Sequence, residues 1–85
     1  MLKIEIYTQV FCPYCARALS LLRKKGVEFQ EIDAPGGSAA RAEAQARSGG
    51  KTTVPQIFIN AKSIGGCDDM MALDRAGELD ALLGI

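Results

Sequence analysis

The chain has 85 residues, with ten basic and ten acidic side chains, zero formal net charge, three cysteines, no histidine and no tryptophan. That length holds one modest core, read here as a single domain over residues 1–85, and the balanced charge gives no footing for a nucleic-acid or acidic-membrane partner. No apolar run is long enough to span a bilayer, no signal-peptide pattern is present, and an odd cysteine count too low for a secreted framework points to a reducing cytoplasm.

Leu2, Ile4 and Ile6 alternate with Lys3, Glu5 and Tyr7, which predicts a first strand over Leu2–Tyr7. After Val10 and Phe11 comes Cys12-Pro13-Tyr14-Cys15, and then a helical run from Ala16 to Lys25. Two cysteines with two residues between them, at a strand-to-helix junction, can close a disulfide with little backbone movement. Pro13 falls at the first helical position, where the missing N–H costs nothing. Cys12 is then the N-cap, with the unpaired amides of the first turn aimed at its sulfur. Such settings lower a thiol from about 8.5 to roughly 3.5–7.5, so Cys12 is expected to be the thiolate nucleophile. With no histidine in the chain, backbone and dipole must do this activation. Cys15, one turn on, points inward as the less exposed resolving thiol. The bland account is two buried cysteines that fall three apart by accident; the flanking strand and helix patterns speak against it.

Within this first helix Cys15, Ala18, Leu19 and Leu22 form one apolar face. Arg23, Lys24 and Lys25 gather in its last turn and Gly26 closes it. Val27–Ile32 alternates and predicts a second strand, parallel to the first through a right-handed crossover. Asp33–Gly37 is a loop, and Ser38 caps a second helix over Ala39–Arg47, which is poor in large apolar residues and therefore lightly packed. Gln56–Ile59 reads as strand three, and Asn60–Lys62 turns into a short strand at Ser63-Ile64, making a hairpin. A glycine turn at Gly65-Gly66-Cys67 leads to Asp68 and Asp69, which open a third helix. Its buried stripe is Met70, Leu73, Ala76, Leu79 and Leu83, with Gly77 weakening it by ~1 kcal/mol. The order β-α-β-α-β-β-α gives an α/β fold, a four-stranded mixed sheet flanked by three helices on the thioredoxin-like plan. The cysteine pair lies at the carboxyl end of strand one.

Together, Cys12-Pro13-Tyr14-Cys15, Thr53-Val54-Pro55 and Gly65-Gly66-Cys67-Asp68-Asp69 resemble the dithiol glutaredoxins of the short bacterial type, over nearly the whole chain from Ile4 to Leu83. The resemblance implies an enzyme, a glutathione–disulfide oxidoreductase. Glutathione is its co-substrate, and it reduces glutathione mixed disulfides and protein disulfides. In the family the first cysteine becomes glutathionylated, and a second glutathione or the second cysteine resolves it; Cys12 and Cys15 match those positions. The family proline is cis, a role for Pro55 in which Val54 offers its N–H and C=O to an incoming cysteinyl backbone as an added strand. Gly66, Cys67 and Asp68 match the pocket for the γ-glutamyl end, with N–H donors for its carboxylate and Asp68 for its ammonium. Tyr14 lines the site, Thr53 belongs to the docking segment, Lys51 suits the glycine carboxylate and Gln56 adds a hydrogen bond. Plainer roles stand beside these: Pro55 as a strand-starting proline, Asp68 as a helix cap, Lys51 as a solvated lysine, Cys67 as a pocket wall.

The family often carries a lysine three residues before the first cysteine, and here Gln9 stands there. The charge contact is lost, at a cost on the order of 0.2–1 kcal/mol. The implied partners are glutathione and disulfide-containing or glutathionylated proteins, ribonucleotide reductase among the candidates, with the chain a monomer. Two competing readings remain: a redoxin reduced by a flavoprotein, which the Cys67-Asp68 pocket and Tyr14 oppose, and an iron–sulfur carrier bridged by Cys12 and glutathione. A zinc site lacks ligands, since one chain offers three cysteines and no histidine.

Overall fold

The computed structural model describes residues 2–85, and Met1 lies outside the described residues. In chain order the elements are β1 (Ile4–Thr8), α1 (Pro13–Lys24), β2 (Gln30–Asp33) and α2 (Ala39–Arg47). They continue with β3 (Gln56–Ile59), β4 (Lys62–Gly65), α3 (Cys67–Arg75) and α4 (Leu79–Leu83). The sheet order is β2-β1-β3-β4. β1 and β2 are parallel with Ile6 opposite Glu31, and β1 and β3 are antiparallel with Ile6 opposite Ile57. β3 and β4 form the expected hairpin, with a register shift between Ile57 and Phe58.

Strand alternation divides the core between the two faces of the sheet. Ile4, Ile6, Ile57 and Ile59 face α1, α3 and α4, where Ala18, Leu19, Leu22, Met70, Leu79 and Leu83 cover them. Removing side chains of this size from water stabilises by roughly 1.5–3 kcal/mol each. Tyr7 and Phe58 point the other way, under α2, with Ala34 and Ala44. Their rings meet edge to face at 5.5 Å.

The sequence pattern led to several boundaries that the packing moves. β1 starts at Ile4 because Leu2 lies at the surface, 41% exposed, and it runs on to Thr8. β2 begins at Gln30: Val27 and Phe29 pack half-buried against the α1 side of the core without joining the ladder. α1 begins at Pro13, β4 spans Lys62–Gly65, and α3 begins at Cys67, each slightly wider than the pattern suggests.

The largest correction is at Gly77. The third helix is two helices, so among the described residues four helices flank the sheet. Gly77 takes φ +75, its N–H donates to the Asp74 carbonyl at 3.0 Å, and the Glu78 N–H reaches the Leu73 carbonyl at 2.9 Å. That pair of bonds is the glycine-terminated helix end, so Gly77 stops the helix; it does not merely weaken it. Ala76 is exposed and leaves the buried stripe, while Leu79 and Leu83 return to the core on α4. Lys25, at the end of α1, binds Asp74 and Asp80 at 2.7 Å each and ties the break in place.

All of β1 is buried, including Glu5 at 6% exposure. Arg47, at the end of α2, makes this tolerable. Its guanidinium donates to both Glu5 oxygens at 3.1 and 2.8 Å and to the Tyr7 hydroxyl at 2.8 Å, and it lies 4.3 Å from the Phe58 ring centroid. Tyr7 in turn hydrogen-bonds Glu43. Hydrogen bonding to Arg47 holds the Glu5 carboxyl below its ordinary value, and burial pushes the Tyr7 phenol up. None of the described helices is long and apolar enough to cross a membrane.

Arg47→Ala leaves the Glu5 charge buried without a partner. Urea unfolding should show a loss of roughly 2–4 kcal/mol, under the value for a fully buried pair because 24% of the Arg47 side chain meets water. Because the Glu5 value is lowered on folding, its contribution is complete above the ordinary carboxylate range and disappears as pH falls through the folded value. The difference between wild type and Arg47→Ala should therefore narrow in acid.

Candidate active site

β1 ends at Thr8 and delivers the chain, through Gln9–Phe11, to the start of α1. Cys12 is the N-cap in extended conformation (φ −111, ψ 103) and Pro13 is the first helical residue. The Cys15 N–H donates to Cys12 Sγ at 3.1 Å, one of the orphan first-turn amides finding its acceptor. Cys12 and Cys15 form a disulfide with Cα atoms 5.2 Å apart. Cys12 is half-buried and Cys15 is 2% exposed, so an incoming thiol or disulfide meets Cys12 first.

The segment before β3 stands opposite. The Val54–Pro55 peptide is cis, and the Val54 carbonyl oxygen lies 3.9 Å from Cys12 Sγ. Among the described residues no backbone group pairs with the Val54 N–H. A groove of about 450 Å³ runs from here to the start of α3. One wall is Tyr14, 54% exposed, and the floor is Thr53, Val54, Pro55 and Gln56. The far end is Gly66, Cys67, Asp68 and Asp69, and Lys51 flanks it. The structure thus brings every sequence-predicted binding residue to one groove beside the cysteine pair.

Gln56 is buried at 1% exposure because it sits mid-sheet. Its Nε2 donates to the Thr53 carbonyl at 3.0 Å and to Thr53 Oγ1 at 3.3 Å, while Oε1 has no partner among the described residues. It braces the Thr53-Val54 corner and leaves one acceptor over. Asp68 is exposed at the α3 start and free of the capping duty considered for it. Asp69 does that work, its Oδ2 accepting from the Gly66 N–H at 3.0 Å. Asp69 also lies 3.8 Å from Lys51 Nζ. Gly65, with φ +100, cannot be replaced: a Cβ there would overlap the Asp69 side chain. Cys67 is a free thiol at 4% exposure, and burial, helped by the Asp68 charge, pushes its value up.

Two roles escaped the sequence reading, which took Asp69 only as a helix-opening acid and did not single out Arg41. Asp69 could have been found, because an acid three residues past the cap is the spacing of the capping box. Arg41 could not, because its partners are scattered along the chain. From α2 it donates to Gln9 Oε1 at 2.8 Å, to the Ala34 carbonyl at 3.0 Å and to the Thr52 carbonyl at 3.0 and 3.2 Å. It clamps together the three loops that frame the cysteine pair and puts a cation against Gln9, where the family often has lysine.

A four-stranded mixed sheet with a cysteine-pair disulfide capping the first helix, under a cis-proline corner, defines a thiol–disulfide oxidoreductase of the thioredoxin-like fold. The glutaredoxin family model matches residues 4–64. Glutaredoxin 3 of Escherichia coli is 59% identical over 83 residues, covering 98% of this chain and 99% of that protein. A probable glutaredoxin of Synechocystis sp. is 59% identical over 81 residues, covering 95% and 92%. Among solved structures, the buckwheat glutaredoxin–glutathione complex superposes with a TM-score of 0.86 at 32% identity, over 98% of this chain and 77% of that one. The glutaredoxin from Brucella melitensis gives 0.83 at 55% identity, over 98% and 89%. The chain belongs to the glutaredoxin family, whose members draw electrons from glutathione and act on disulfide-bonded or glutathionylated proteins.

In fully reduced protein at pH 7, iodoacetamide should label Cys12 at least ~10-fold faster than Cys67, whose burial keeps it protonated. Mass spectrometry of the labelled peptides, with Cys67 reacting freely only in urea, checks this.

Proposed function

We propose that this chain uses glutathione to reduce glutathione mixed disulfides and protein disulfides, with Cys12 as nucleophile and Cys15 as resolving thiol. The observation that carries the reading is the Cys15 N–H on Cys12 Sγ at 3.1 Å, at the mouth of a groove long enough for a tripeptide. An N–H that already points at the sulfur favours the thiolate without any change of geometry.

The Cys12 thiolate attacks the glutathione sulfur of a mixed disulfide. The Cys12–glutathione bond forms, the old S–S bond breaks, and the substrate thiolate leaves and takes a proton from solvent. A second glutathione thiolate then attacks the Cys12-bound sulfur, which restores the Cys12 thiolate and carries two electrons' worth of oxidation away as glutathione disulfide. On a protein disulfide, Cys15 attacks the Cys12 mixed disulfide instead, and the intramolecular disulfide is then reduced by two glutathiones.

In the groove, the Val54 N–H and C=O take the cysteinyl backbone of glutathione as an extra strand. The amides at the Gly66-Cys67 turn meet the γ-glutamyl carboxylate, and Asp68 meets its ammonium. Lys51 exchanges Asp69 for the glycine carboxylate, since an exposed pair at 3.8 Å is weak. Thr53, Pro55, Gln56, Tyr14 and Cys67 shape the walls. The cluster-carrier alternative is not favoured: Pro13-Tyr14 follows Cys12 where the monothiol cluster carriers have small surroundings. The reading takes residues 1–85 as one domain, acting as a monomer in a reducing cytoplasm. Disulfide-bonded enzymes, ribonucleotide reductase among them, are candidate substrates.

A glutathione-coupled assay with a small mixed disulfide tests the reading. Cys12→Ser should abolish turnover of every substrate; residual turnover near wild type refutes the assignment. Cys15→Ser should keep turnover of the mixed disulfide while losing reduction of protein disulfides, and equal loss of both means the roles are wrong. Asp68→Ala should raise KM for glutathione about two- to fivefold, the worth of one exposed ion pair. An unchanged KM removes Asp68 from the groove.

A further inference from the structure

Two clefts flank the sulfur pair, and they have no lining residue in common. The second, about 530 Å³, opens on the side away from the glutathione groove, between the loop after β1, α1 and β2. Both cysteines line it, together with the apolar walls of Phe11, Pro13, Ala16 and Leu19. Among the described residues Glu31 is its one charged lining residue, and Glu31 Oε2 accepts from Thr8 Oγ1 at 2.9 Å. The rim is unusual for a small protein: Phe11 is 100% exposed, and Val10 before it in the chain is 71% exposed. Phe11 also holds φ +56, a left-handed backbone that disfavours any residue with a Cβ. An apolar ring held in water on a strained backbone contributes nothing to the core, and such strain concentrates where a protein meets its ligands.

We propose that this second cleft receives the polypeptide half of a glutathionylated protein, seating an apolar side chain next to the modified cysteine against Phe11 and a lysine or arginine opposite Glu31. The inference rests on the reading given under Proposed function and narrows its protein substrates to those with an apolar and a basic residue beside the modified cysteine. A mixed disulfide has two halves joined at the sulfur pair that Cys12 attacks. One half fills the polar groove, so the other must lie on a different surface within reach of Cys12. The apolar cleft is that surface, since Cys12 lines it and the polar groove shares none of it. Among the described residues no basic side chain lines the cleft; the cation nearest its lining, Arg41, is held by Gln9 Oε1 and the Ala34 and Thr52 carbonyls, which leaves Glu31 to meet a substrate cation.

The test measures kcat/KM of the full chain on three glutathione mixed disulfides. The first is that of β-mercaptoethanol. The second is a pentapeptide with leucine before the modified cysteine and lysine after it. The third is the same peptide with serine and glutamate in those places. The variants are Phe11→Asn, since asparagine tolerates the left-handed backbone, and Glu31→Lys. On the leucine–lysine peptide, Phe11→Asn should lower kcat/KM about tenfold and Glu31→Lys about threefold to fivefold. Glu31→Lys should improve the serine–glutamate peptide, and both variants should stay within about twofold of wild type on the mercaptoethanol substrate. Unchanged kcat/KM on the leucine–lysine peptide overturns the proposal while the glutathione reading stands. A parallel loss on all three substrates also overturns it. Wild-type inactivity on all three overturns both.

Discussion

One amide–sulfur contact organises the chemistry of this protein. The Cys15 N–H reaches Cys12 Sγ only because Cys12 is the residue before the first helical turn and Pro13 has no N–H to compete. The remaining amides of that turn point the same way and extend a partial positive charge over the sulfur. The chain contains no histidine, the commonest side-chain base. The backbone is therefore the activating group, and it works only while α1 stays docked through Cys15, Ala18, Leu19 and Leu22.

That docking depends on a sheet covered on both faces. The α1 face is apolar throughout, whereas the α2 face is held by a charged cluster. Arg47 lies over Phe58, neutralises Glu5 and shares the Tyr7 hydroxyl, so a short helix with one buried alanine still closes its side of the sheet. Six residues earlier on the same helix, Arg41 ties the loops at Gln9, Ala34 and Thr52. α2 thus contributes to the site through two long cations rather than through apolar packing.

The surroundings of the sulfur pair are asymmetric. On one side lie exposed backbone groups and charges at Val54, Asp68 and Lys51; on the other lies an apolar wall from Phe11 to Leu19 with Glu31 alone. A small polar thiol and a polypeptide make different demands, and the two sides differ in the same sense. The strained Phe11 and the glycine required at Gly65 mark the two edges of this arrangement.

Local chemistry determined much of this in advance. Spacing and propensity alone gave the N-cap at Cys12, the face of α1, the full extent of α2 and β3, and the glycine turn before α3, because each depends on residues within one or two turns of one another. The resemblance to a family added the groove residues. Tertiary structure decided the rest. Glu5 and Tyr7 alternate with the apolar set of β1, and only Arg47, forty or more residues away, makes their face an interior. Gly77 reads as a weak point in one helix; its left-handed backbone and the helix-end bonds to Leu73 and Asp74 make it a stop, which the salt bridges from Lys25 and the burial of Leu79 hold in place. Arg41 belongs to the site through contacts between distant segments, and the exposed edge at Phe11 through the packing around it, and neither leaves a periodic trace in the order of residues.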